Sequence, residues 1–270
     1  MDAERDVDRP LRGTLVRLGF SPERIVLQAG ARGVAIARRG AARELVTIVD
    51  GAVDDGALRE RSRWDRPLRS AELVTTGAGQ QTIIAEELEV GEPSTLLDMR
   101  ARRPGCAAAL VEAVWTAHAE GEVMGAIVPE LVFVDPSAYE LVGVAQRPLR
   151  AEAAAIPKHG EPPLYGVAAM TPAGIHGRPD GPPEDVFRIA TILWRWRHGA
   201  DPLGGSSSFD RMAILSGGMP GYETSAASPA VRAGVGDRLD ALLVEAMALD
   251  PLVRPTANDL LWVVADLATW

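Results

Sequence analysis

A chain of 270 residues, 47% hydrophobic and 24% charged, has the make-up of one large folded domain or two small joined lobes, which excludes wholesale disorder. The formal charge of −9, from 37 acids against 28 bases, argues against a protein whose main task is gripping nucleic acid or anionic lipid. A single cysteine, Cys106, excludes an intrachain disulfide framework and a thiolate metal cluster, and fits a reducing interior.

The opening MDAERDVDRP is charged and has no apolar core, so no signal peptide is expected. No apolar run approaches the ~20 residues of a membrane-spanning helix, and the expected location is cytoplasmic. LRGTLVRLGF (11–20), within an N-terminal extension over 1–20, reads as a short helix or a lead-in strand. From Ile25 to Asp50 the pieces IVL, GVAIA and ELVTIV, punctuated by Gly30, Gly33 and Gly40, predict antiparallel strands in hairpins. GALRERSRW (56–64) suits a short helix, and ELVTTGAGQQTIIAEEL (72–88) suits two more strands around a turn at Gly77 and Gly79. Residues 21–90 therefore read as a small, mostly β unit.

Over 91–270 helices dominate. Ser94 suits the N-cap of STLLDMRARR (94–103), and CAAALVEAVWTAHAEG (106–121) places Leu110, Val114 and Ala117 on one face and stops at Gly121. ELVFVD and YELVGVA predict two short strands about a DPSA turn, and the prolines and glycines of 148–183 predict a long irregular segment. DVFRIATILWRWRHG (185–199) is apolar enough for a central buried helix. After a loop rich in Gly, Ser and Pro, two amphipathic helices are expected over 238–251 and 256–270, the second opened by a capping box of Thr256 and Asp259. A β unit followed by a helical one is an α+β arrangement.

Scarce residues narrow the chemistry. Lys158 is the only lysine and Asn258 the only asparagine, so chemistry needing a lysine elsewhere, or an earlier asparagine, is unavailable to this chain. His118, His159, His176 and His198 lack the spacing of metal ligands, and His118 reads as structural. No G-x-S-x-G occurs, and Ser206, Ser207 and Ser208 read as a flexible loop rather than a nucleophile site. Glu184 beside Asp185 is expected to be exposed. Trp194 and Trp196, two apart on a helix, point to different sides, one to the core and the other to core, groove or partner surface.

The order of these segments, and several phrases, resemble bacterial Ser/Thr protein kinases of the eukaryotic type. HAEGEVMGAIVPELVFVD (118–135) is similar to the family phrase HARGVVHRDIKPENILVD, and DVFRIATILWRWRHGADPLGG (185–205) to DVYSLGVILYELLTGRPPF. LDALLVEAMALDPLVRPTANDLLWVVADL (239–267) keeps the family's DP-x-x-RP spacing at Asp250, Pro251, Arg254 and Pro255. The resemblance covers mostly the C-terminal two-thirds; toward the N-terminus it rests on strand order. It implies a bilobal protein-kinase-like fold, with a small β-rich lobe followed by a larger helical one. It also implies that Asp185 heads the buried helix and accepts hydrogen bonds from the catalytic-loop backbone. Met124 and Val144 would replace the His and Phe of the family's internal apolar column. Thr171, Pro172 and Ala173 stand where the family has its APE motif, so Arg254 loses the glutamate it would pair with and needs another partner.

The same resemblance shows the chemistry missing. A kinase needs a glycine-rich loop, a strand Lys paired with a helix Glu, a catalytic Asp and Asn, and a metal-binding Asp. Here Gln28 takes the first glycine position while Gly30 and Gly33 match the second and third, a pattern a plain hairpin explains equally well. Ile48 takes the Lys position and Glu60 that of the helix Glu. Met124, Gly125 and Ala126 replace His, Arg and Asp; Val128 replaces the loop Lys and Leu131 the Asn; Gly143, Val144 and Ala145 replace Asp, Phe and Gly. Arg32 and Arg147 are the only nearby cations. The expectation is a catalytically inactive kinase-like protein, without cofactor or metal, serving as a scaffold or allosteric regulator for an unidentified protein partner. Neither nucleic acid nor membrane is an expected partner. Mg-ATP binding is expected to be weak or absent, with residual affinity only through the backbone of a hinge near Glu87–Val90. The alternatives are a nucleotide or small-ligand sensor, or a transferase that has repurposed the cleft.

Overall fold

The computed structural model describes residues 9–53, 67–97, 104–125, 127–138, 140–145, 148, 170–204 and 207–266. The expected helix over 56–64 lies outside them, as do Glu60, Ala126, Arg147, Lys158, His159, Ser206 and Trp270. The described chain is α+β: a five-stranded antiparallel sheet comes first and helices follow. It forms two compact units, one from the described residues of Met1–Pro93, Glu130–Phe133 and Val142–Gly166, the other from those of Ser94–Pro129, Val134–Leu141 and Val167–Trp270.

In the first unit, helix α1 (Arg9–Arg17) carries Leu11 and Leu15 one turn apart on its buried side. It ends in a Schellman turn: Gly19, at φ 82°, donates its N–H to Val16 O at 3.0 Å, and Phe20 donates to Leu15 O at 3.0 Å. Strand β1 (Ser21–Ala29) starts at the next residue, followed by β2 (Arg32–Arg39), β3 (Ala42–Asp50), β4 (Leu68–Thr76) and β5 (Gly79–Glu87). The sheet order is β1-β2-β3-β5-β4. Two-residue turns close the first hairpins, with Ala29 paired to Arg32 and Arg39 to Ala42. Gly30 and Gly40, at φ 62° and 64°, supply the backbone such tight turns require. The register sets Gly33, Ile48 and Ile83 side by side in one row and Ala35, Val46 and Ala85 in another. Leu11, Leu15 and Phe20 pack with Ala35, Ala37, Val46, Ile48, Ile83 and Ala85 as one apolar cluster. The alternate residues Val34, Ile36, Leu45, Val49 and Ile84 are buried as well, so β2, β3 and β5 are apolar on both faces. A second sheet, ordered β6-β7-β8, joins Glu92–Pro93, Val132–Val134 and Leu141–Val144.

The second unit is helical: α2 (Pro104–Ala119), α3 (Pro172–Ile175), α4 (Pro182–His198), α5 (Ser208–Leu215), α6 (Pro229–Ala233), α7 (Arg238–Ala246) and α8 (Ala257–Asp266). α2 packs on α8, and α4 touches α2 and α7. α4 is buried nearly all round, from Val186 to Trp196. Pro182 and Pro183 suit its first turn, acids at 184 and 185 and bases at 195, 197 and 198 oppose its dipole, and Gly199 at φ 64° ends it. The capping box holds as read: Thr256 N–H donates to Asp259 Oδ2 at 2.8 Å and Asp259 N–H to Thr256 Oγ1 at 3.2 Å.

Two local expectations are corrected. Over the described residues 94–97 Ser94 caps no α-helix; it opens a 3-10 turn, Ser94–Leu96, and its buried hydroxyl donates to Pro129 O at 2.9 Å, while 98–103 lie outside the described residues. Ser207 is not loop but the N-cap of α5, accepting Asp210 N–H at 3.1 Å while Asp210 accepts the Ser207 N–H. Trp194 and Trp196 both lie in the core, one of the placements open to them, because α4 has neighbours on every side. Among the described residues, no helix is long and apolar enough to cross a membrane.

Candidate functional site

Asp185, fully buried in the first turn of α4, holds the bend that follows α2. Its carboxylate accepts the backbone N–H of Met124 at 2.8 Å and of Gly125 at 2.9 Å. His118, in the last turn of α2, adds a third contact, Nε2 to the carboxylate at 3.0 Å, where only a ring N–H satisfies the acceptor. Arg188, one turn along α4, donates to Gly125 O at 3.0 Å and to Asp180 at 2.7 Å. A buried carboxylate is tolerable only with donors of this kind, and the helix N-terminus favours its charge. The bend is thus gripped by its N–H groups and by a carbonyl, yet the side chains it presents are a mostly buried thioether, Met124, and a glycine at φ 73°. Neither gives or takes a proton.

Arg254 is buried under the same helix. Its guanidinium donates to Glu184 Oε1 at 3.1 Å, Pro183 O at 2.9 Å, Ala248 O at 2.8 Å and Leu249 O at 3.3 Å, and lies 5.1 Å from the centre of the Phe187 ring. Burial lowers its pKa, and the Glu184 carboxylate offsets only part of that. Glu184, expected at the surface, is only 4% exposed. The reason is geometric: at the third helical position, one carboxylate oxygen reaches back to the Gly181 N–H at 3.1 Å, which leaves the other to meet Arg254. Thr171 caps α3 by accepting the Gly174 N–H. A cavity of about 550 Å³, not foreseen from sequence, is lined here by residues including Pro172, His176, Arg178, Glu223 and Asp250.

In the first unit, Ile48 is fully buried in the cluster beneath α1. Gly30 belongs to a two-residue turn, and Gln28 Nε2 donates to its carbonyl at 3.0 Å. Arg32, offered by the sequence as a nearby cation, is only 9% exposed and 3.5 Å from the Asp50 carboxylate, which also accepts from Gln81 at 2.9 Å. Its charge is engaged inside the sheet. At the expected hinge the Glu87 N–H donates to Pro67 O and the Leu88 N–H to Arg43 O, while the Val90 side chain is half exposed. Leu131 is fully buried and its carbonyl accepts the Ala145 N–H at 2.9 Å; Gly143 and the buried Val144 lie in β8. Among the described residues, no group of three or more His, Cys, Asp or Glu side chains could hold a metal ion.

No protein-family model matches the sequence, and no curated protein matches it.

Proposed function

We propose that this chain has a bilobal kinase-like fold that has given up phosphotransfer and works by binding another protein, as a scaffold or regulator. The observation that carries this reading is the Asp185 clamp. A bend whose backbone is held at 2.8 and 2.9 Å by a buried carboxylate is an expensive support, and what it supports is Met124 and Gly125. In a kinase-like reading the equivalent bend carries the catalytic acid–base group. The residues at the charged positions tell the same story: Ile48, Leu131 and Gly143 neither neutralise phosphate nor ligate magnesium. Arg32 is already paired with Asp50. Bringing nucleotide phosphates against hydrocarbon removes their hydration without replacement. The acidic surface, at a formal −9, is a poor match for nucleic acid and favours a protein partner.

The test is twofold. Pure protein incubated with radiolabelled ATP, Mg²⁺ and generic protein substrates is expected to transfer no phosphate; transfer proportional to protein concentration, and surviving repurification, overturns the reading. Calorimetry is expected to detect weak binding of Mg-ATP or none, and metal-dependent affinity in the low micromolar range, as in working nucleotide sites, counts equally against it.

A further inference from the structure

Helix α1 lies across the face of the sheet that carries Ile48. A Cβ built on Gly33 would stand 2.3 Å from Leu11 Cδ2 and 2.6 Å from Leu27 O, so Leu11 fills the space that any side chain at position 33 would need. Leu15 and Phe20 extend the contact over Ile48 and its neighbours. The floor beneath them is cut low by small residues, Gly33, Ala35, Ala37 and Ala85, which gives two leucines room to sink in. The seat is fixed at its end: the Schellman turn joins α1 to β1 with no slack residue, and Arg12 donates to Pro22 O at 3.2 Å.

We propose that α1 is a built-in plug, occupying the sheet face over which a nucleotide would lie, so that this face is closed to nucleotide by the chain's own helix as well as by its lost charges. The proposal rests on the kinase-like reading, which sets Gly33 and Ile48 on the nucleotide side. It follows that restoring charge alone is futile, because a lysine at position 48 would enter the apolar cluster that holds Leu11 and Leu15 instead of meeting phosphate.

The test uses the full chain with ATP as probe, with and without Mg²⁺, in four forms: wild type, Ile48→Lys, Leu11→Ala with Leu15→Ala, and the three changes together. Amide hydrogen exchange at residues 11–20 and in β2 and β3 reports whether the helix is seated. In the wild type the α1 amides are expected to exchange as slowly as those of β2 and β3. The paired alanines are expected to speed exchange in α1 by about tenfold or more while the strands stay protected. The triple variant is expected to bind ATP at least about tenfold more tightly than Ile48→Lys alone. Fast exchange of α1 in the wild type overturns the proposal, and so does a triple variant with a released helix that binds no better than Ile48→Lys. If the alanine pair also loosens the strands, Leu11→Ala with Ile48→Lys makes the same comparison with less disturbance. Wild-type protein that binds Mg-ATP with low-micromolar affinity while α1 stays protected would overturn the kinase-like reading as well, whereas fast α1 without ATP binding removes the plug only.

Discussion

Glu184 and Arg254, seventy positions apart in sequence, meet at 3.1 Å in the interior of the C-terminal unit, and Glu184 uses its second oxygen to cap its own helix. The pair therefore ties the start of α4 to the segment before α8. Removing one partner of a buried pair strands the other charge. Arg254→Met is expected to cost about 3–5 kcal/mol. Arg254→Met with Glu184→Gln should cost less than the two single changes added together. Urea unfolding of all four proteins measures the coupling; strict additivity would mean the two side chains stabilise the fold independently.

Asp185 supports a second connection, from α4 to the bend after α2. Asp185→Ala leaves the N–H groups of Met124 and Gly125 without their acceptor, at about 1–3 kcal/mol each. Asp185→Asn keeps one acceptor oxygen and should fall between wild type and alanine. Thermal unfolding gives the order, and an alanine variant as stable as wild type would show that the bend is held by other contacts.

Two helix caps set an acid limit on stability. The Asp237 carboxylate is held below its ordinary 3.8 chiefly by the backbone N–H of Asp240, with Arg197 helping. The Asp259 carboxylate is held below 3.8 by the Thr256 hydroxyl and N–H. A carboxylate whose pKa falls on folding stabilises the fold fully above the unfolded value and loses that contribution as pH drops through the folded value. The caps should thus hold from neutral pH down to about pH 4 and fail below it. Melting temperatures between pH 7 and pH 3 should drop less, over the acid end, for Asp237→Asn with Asp259→Asn than for wild type. At neutral pH, Thr256→Ala should cost about 1 kcal/mol.

Trp196 is 5% exposed, and its Nε1–H has no hydrogen-bond partner among the described residues. Replacing it by phenylalanine removes a buried unsatisfied donor while losing some packing. Trp196→Phe is expected to stay within about 1 kcal/mol of wild type, because the two effects oppose. A loss of several kcal/mol in denaturant unfolding would mean the indole ring is worth more as filler than its stranded N–H costs.

The strands were legible because glycine punctuation and apolar pieces sit close together: Gly30 and Gly40 fall in turns, and IVL, GVAIA and ELVTIV lie within strands. The lead-in stayed ambiguous between helix and strand because its deciding feature, the Schellman turn at Gly19, is a matter of backbone geometry. Short helices escaped notice although their caps were written in the chain, Ser207 before α5 and Ser228-Pro229 at α6. Helices of eight and five residues carry too little periodicity to register. The burial of Glu184 was misread because local sequence says what a carboxylate can cap but not which distant arginine it will meet. Gly33 was noticed as a member of a motif, while its actual constraint, the approach of Leu11, comes from a helix 22 positions earlier and only folding brings the two together.

Cys106, the one thiol, is sealed in α2, and burial pushes its pKa up to about 12. Towards maleimides at neutral pH the folded chain should therefore behave almost as a cysteine-free protein. A cysteine placed at Trp262 or Leu252, which are 71% and 90% exposed, would be a single chemical address on the surface. Fluorophores or photo-crosslinkers attached one site at a time can then trace where another molecule touches this protein, with no background substitution to remove the native thiol.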